Sequence, residues 1–155
     1  MSKLLDEPLS LETAKQIHSK PKTRFDNAYK AALAIEGATY VQGFLVYSHE
    51  PVQPIEHGWV ELDERIIDPT LPHLGKGSQD LYYFAAQSLT RKKLKAVVEE
   101  AKEDYPEDDP LPVYGKPPYE YYGDLMLGGK EYLTAYTEAE AKCAALNQAK
   151  VQESN

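Results

Sequence analysis

Cysteine is almost absent from this chain. The one thiol in 155 residues, Cys143, excludes an internal disulfide and a zinc site built from several cysteines, and suits a reducing compartment such as the cytoplasm. Basic residues are scarce as well. Seventeen Lys and Arg against 25 Asp and Glu leave a formal charge of −8, which argues against a nucleic-acid or anionic-membrane binder. No apolar run approaches the roughly 18 residues of a membrane span, and Met1–Ser10 lacks the basic flank and apolar stretch of a signal peptide. A Gly-rich phosphate loop, a serine nucleophile elbow and an internal repeat are all missing. His49, His57 and His73 have no metal-binding spacing, so neither a metal nor a cofactor is expected.

What is present reads as a globular chain. Hydrophobic residues make up 42% and charged residues 27%, ordinary enough to exclude disorder and fibrous repeats, and the length predicts a single domain over 1–155. Ser10 is placed to cap a helix over Leu11–His18, closed by Pro21. Phe25, Ala28, Ala32 and Ile35 form one apolar stripe of a helix over Arg24–Glu36, with Gly37 after its end. Tyr40–Tyr47 is aromatic and β-branched and predicts a strand. Glu56–Asp68 predicts a hairpin turning at Asp63 and Glu64, which puts Trp59 opposite Asp68 and His57 diagonal to it. Ser78 is placed to cap a helix over Gln79–Leu89, and Thr90 a second over Arg91–Asp104. The stretch 105–118, rich in proline and acid, predicts an extended loop, Tyr119–Leu127 a late strand or tyrosine-lined loop, and Gly128-Gly129 a turn. Thr137 with Glu140 matches a capping box for a last helix whose inner turns carry Ala141, Ala144, Ala145 and Gln148. The fold class expected is α+β: a core over 10–104 of N-terminal helices on a small antiparallel sheet, then the loop, then a tyrosine-rich segment and helix over 119–152.

The hairpin carries the candidate chemistry. A histidine beside a carboxylate is the base-and-orienter half of a Cys-His-Asp triad. His57-Gly58-Trp59-Val60-Glu61, followed by Ile67-Asp68-Pro69-Thr70, resembles the His-Ala-Trp-Val-Glu and Asp-Pro-Thr phrases of transglutaminase-like proteins within the papain-like fold. The helix start Thr23-Arg24-Phe25-Asp26-Asn27-Ala28 is similar to a Cys-aromatic-x-Asn-Ala start in small papain-like proteins, with Arg24 where the cysteine would stand. The resemblance implies a papain-like core, His57 and Asp68 as an inherited dyad, and a cleft bordered by Thr23, Arg24, Asn27 and Trp59. Arginine stays protonated and cannot be the nucleophile. Cys143, in an alanine-rich helix after both other members, reads as a small buried hydrophobe.

The bland alternatives stay open at this point. Thr23 is either a hydroxyl nucleophile or an N-cap; Arg24 either holds an anion or pairs with Asp26 or Asp68; Asp68-Pro69-Thr70 either belongs to a site or ends a strand through an aspartate turn. The acids Glu99, Glu100, Glu103, Asp104, Glu107, Asp108 and Asp109 lack the spacing of a calcium loop and read as a solvated surface. Tyr119, Tyr121 and Tyr122 suggest a partner-binding surface. The expected function is a catalytically silent relative of papain-like cysteine hydrolases that binds a protein or peptide. The alternatives are an active hydrolase or acyltransferase with a non-standard nucleophile, and an acidic cation-binding or inhibitory protein.

Overall fold

The computed structural model describes residues 3–48, 52–75, 80–113, 119–122 and 125–154, with backbone alone for 119–122, 125–128 and 150–154. The elements run β1 (Leu4–Leu5), α1 (Glu7–Ile17), α2 (Arg24–Ala34), β2 (Thr39–Tyr47), β3 (Ile55–Leu62), β4 (Arg65–Ile67), a 3-10 turn (Leu71–His73), β5 (Leu81–Leu89), α3 (Arg91–Asp104), β6 (Tyr119–Tyr122), β7 (Leu125–Gly128) and α4 (Lys130–Ser154). This is an α+β protein. Its five-stranded sheet has the order β1-β4-β3-β2-β5, and β6 and β7 form a separate antiparallel pair. The larger sheet is mixed rather than the antiparallel sheet expected, because β1 runs parallel to β4 while β3 and β4 are antiparallel.

The chain divides into two compact units. The first comprises Met1–Gln42, Gly58–Lys76 and Ser88–Val113, the second Gly43–His57, Gly77–Gln87 and Tyr114–Asn155. In the first, Ala28, Ala31 and Ala32 of α2 pack with Tyr40, Val60, Ile67, Leu89, Leu94 and Val98. Three fully buried alanines leave the helix no bulk on that face, so its backbone can approach the sheet closely. In the second, Phe44 and Val46 of β2 meet Tyr132, Ala135, Ala139 and Cys143 of α4, with Tyr82, Phe84 and Ala86 of β5 against them.

The hairpin forms in the register its alternation predicts. Leu62 pairs with Arg65 and Val60 with Ile67, and both turn residues, Asp63 (φ 49°) and Glu64 (φ 65°), are left-handed, as a two-residue hairpin matched to strand twist requires. Thr90 caps α3 by accepting the Lys93 N–H at 3.3 Å.

Four further expectations are corrected. Asp6, not Ser10, caps the first helix: its Oδ1 accepts the Leu9 N–H at 3.0 Å while Arg65 holds its Oδ2 at 2.8 Å. Ser10 lies inside that helix. Leu81–Leu89 is strand β5 rather than a helix, since its run of Leu, Tyr, Tyr and Phe suits a pleated surface; the presumed cap Ser78 lies outside the described residues. The last helix begins at Lys130, and Thr137 sits mid-helix with its hydroxyl donating to the Leu133 carbonyl at 2.8 Å. Its inward stripe is Tyr132, Ala135, Ala139 and Cys143, whereas Ala141, Ala144, Ala145 and Gln148 face solvent. Among the described residues no helix is long and apolar enough to cross a membrane.

Candidate functional site

The start of α2 is organised around one amide. Asn27, almost fully buried, accepts the Lys20 N–H at 3.1 Å and the Thr23 hydroxyl at 3.2 Å through Oδ1, and donates through Nδ2 to the Lys20 carbonyl at 2.7 Å and the Thr70 hydroxyl at 3.0 Å. All four of its bonding positions are used, so it clamps the loop before the helix to the turn after β4. Thr23 occupies the N-cap position, with its carbonyl accepting the Asn27 N–H at 2.8 Å. Its hydroxyl makes no cap bond and gives its proton to the Asn27 amide oxygen, an acceptor that is not a base.

Asp68 is fully buried at the other end of the same network. Its Oδ1 accepts the Thr70 N–H at 2.9 Å and its backbone N–H donates to the Ser10 hydroxyl at 2.9 Å, which itself donates to the Asp6 carbonyl at 2.6 Å. Asp68-Pro69-Thr70 is therefore an aspartate-initiated turn. Ser10, Asp68, Thr70 and Asn27 form one continuous polar seam through the first unit. Ser10 was not legible as part of it, because a serine near a helix start reads as a cap until the partner from a distant turn is seen.

Trp59 is fully buried, and its indole N–H donates to Glu61 Oε2 at 3.2 Å. The other oxygen of Glu61 holds the Lys3 ammonium at 2.6 Å, which raises the lysine above its ordinary value. Gly58, between His57 and Trp59, faces the tip of α2. A Cβ there would stand 3.0 Å from Phe25 Cδ1, 3.3 Å from Ala28 Cβ and 3.4 Å from the Arg24 carbonyl oxygen. The glycine, where the resembled phrase has alanine, is thus the local reason β3 lies directly against α2.

Arg24 opens α2 and borders a cavity of about 310 Å³ with Lys22, Thr23, Phe25, Asp26, Asp109 and Leu111. Asp26 pairs with Lys30 at 3.1 Å. Thr23, Arg24, Asn27, Trp59 and Asp68 all belong to the first unit. His57 belongs to the second, fully buried, with its ring centroid 6.2 Å from that of Tyr83 at a tilt of 48°. Cys143 is buried in the second unit's apolar cluster, where desolvation and the nearby Glu140 carboxylate push its thiol up. Tyr119, Tyr121 and Tyr122 lie on β6, with side chains outside the described residues. Among the described residues no three His, Cys, Asp or Glu side chains are grouped to hold a metal ion.

Gln42 is a further structural residue the sequence did not single out. Its buried amide accepts the Val113 N–H at 2.6 Å and donates to the Val113 carbonyl, standing in for a sheet neighbour and tying the end of the proline-rich stretch to β2.

Comparison brings no relative. No family model, curated protein or solved structure matches the chain.

Proposed function

We propose that this chain is a catalytically silent relative of papain-like or transglutaminase-like cysteine hydrolases that works as a protein- or peptide-binding module. The observation that carries the reading is the state of the thiol. Family members place a thiolate at the helix tip that here carries Arg24, where the helix dipole and neighbouring cations would lower its pKa. The one cysteine of this chain sits instead in an apolar cluster beside a carboxylate, both of which favour the neutral thiol.

Two further features support silence over a substitute nucleophile. The Thr23 hydroxyl donates to an amide oxygen, so no base is drawing its proton. Asn27, which the resemblance places at the cleft, spends all four of its hydrogen-bonding positions on Lys20, Thr23 and Thr70, and Asp68 gives one carboxylate oxygen to the Thr70 N–H. The test is incubation with glutaminyl and ester acyl donors, an amine acceptor and an electrophilic thiol probe. The expected result is no turnover above buffer; turnover abolished by His57→Ala would overturn the reading.

A further inference from the structure

We infer that the outer edge of β5, together with the groove between Ala85-Ala86 and the first turns of α4, binds an extended, basic peptide segment of a partner protein by adding it to the sheet. The inference rests on the binding-module reading above and gives that reading a place and a ligand chemistry.

Among the described residues β5 ends the five-stranded sheet, and it is nine residues long. An edge strand offers a row of backbone donors and acceptors to any extended chain, and folded proteins normally blunt such edges with charge, proline, a bulge or shortness. Leu81-Tyr82-Tyr83-Phe84-Ala85-Ala86-Gln87-Ser88-Leu89 contains no charged residue, no proline and no glycine. In a chain with 27% charged residues, an uncharged edge of this length is the form expected where pairing is used rather than avoided.

Beside that edge lies a solvent-open cavity of about 370 Å³ walled by Ala85, Ala86, Lys130, Glu131, Thr134 and Glu138, within the size range of ligand sites. Its room comes from Ala86, which shares with Tyr82 and Phe84 the strand face toward α4 and is the smallest of the three. Glu131 and Glu138 are seven residues apart, two helical turns, so both carboxylates share one face of α4 about 10 Å from each other along the axis. Side chains on one face of an added strand repeat about every 7 Å, and lysine or arginine stems span the difference.

Charge selects between occupants. A second copy of this chain brings a net charge of −8 to a groove with two carboxylates and one ammonium, whereas a basic segment brings the opposite sign.

The test uses the full chain and a fluorescein-labelled (Lys-Val)4 peptide read by anisotropy, with (Glu-Val)4 as the charge-reversed probe. Expected is saturable binding of (Lys-Val)4, none of (Glu-Val)4, and at least a tenfold loss in Glu131→Lys/Glu138→Lys and in Ala85→Lys, each shown folded by its thermal melt. The double change Glu99→Lys/Glu103→Lys, on the exposed face of α3, is expected to leave binding within twofold. Equal losses in the α3 and α4 variants would mean attraction to net charge alone and would overturn the proposal, as would absence of binding. Sedimentation showing a dimer that Ala85→Lys dissolves would give the edge to a second copy and also overturn it. None of these failures touches the turnover assay, so the edge and catalytic silence are decided separately.

Discussion

Replacing Asn27 with alanine isolates what the buried polar seam contributes. The substitution removes four hydrogen bonds at once. Lys20 and the partly exposed Thr23 can turn to water, so their losses are small; Thr70 is fully buried, and its hydroxyl loses its donor where water does not reach. A typical net hydrogen bond is worth about 1 kcal/mol and a stranded buried polar group about 1–3 kcal/mol, which together put Asn27→Ala near 3 kcal/mol. At about 2–4 °C per kcal/mol for a chain of this size, the melting temperature falls by about 6–12 °C. Asn27→Asp is expected to cost more than alanine despite its closer shape, because an oxygen replaces Nδ2 opposite the Lys20 carbonyl and a charge enters a buried position. Urea titration followed by circular dichroism measures both, with the slope unchanged and the midpoint lowered. A loss under about 1 kcal/mol for alanine, or an aspartate variant as stable as the parent, would refute the claim that this amide holds the helix start.

Gly43→Ala should cost about 3 kcal/mol or more by thermal melt, since its Cβ would fall 2.0 Å from the Phe84 carbonyl oxygen and 3.0 Å from the Ala85 Cα, both backbone atoms that cannot swing aside. Gly58→Ala should cost less, about 1–2 kcal/mol, because the nearest atom at 3.0 Å belongs to the Phe25 ring, which can give slightly. Gln42→Leu is expected to raise hydrogen exchange and protease cleavage selectively over residues 105–113, where Val113 loses both bonds to the amide. Cys143 should react with a disulfide reagent at pH 8 far more slowly in the native protein than after denaturation. Because its thiol is raised in the fold, stability should fall as pH climbs past about 9, the ordinary thiol value, an effect absent in Cys143→Ala.

Local features made much of the first unit legible. The apolar stripe of α2, the threonine cap of α3 and the two-residue turn at Asp63 and Glu64 each depend on neighbours within a few residues, and each formed within one or two residues of expectation. Of the residues in the two phrases His57-Gly58-Trp59 and Asp68-Pro69-Thr70, His57, Asp68 and Thr70 are buried polar groups. The aspartate turn at Asp68 stood among the alternatives of the sequence, whereas the crowding of Gly58 by Phe25 and Ala28 came only with the packing of α2 on β3.

By itself the sequence determined the α+β class, the hairpin register, the helix at residue 24 and the arginine at its tip, because periodicity, turn chemistry and residue identity are properties of short stretches. Tertiary structure alone decided the rest. Gln79–Leu89 offers a capped, helix-compatible run, and only pairing at the end of a sheet makes Leu81–Leu89 a strand. Thr137 and Glu140 match a helix start wherever they occur, and only packing against Phe44 and Val46 selects the Tyr132, Ala135, Ala139 and Cys143 face of a helix already begun at Lys130. Ser10 became part of a buried seam through Asp68, 58 residues away. Contacts at that separation choose among the structures that local preference leaves open, since burying a polar group or an apolar face outweighs the few tenths of a kcal/mol by which most residues prefer one backbone state to another.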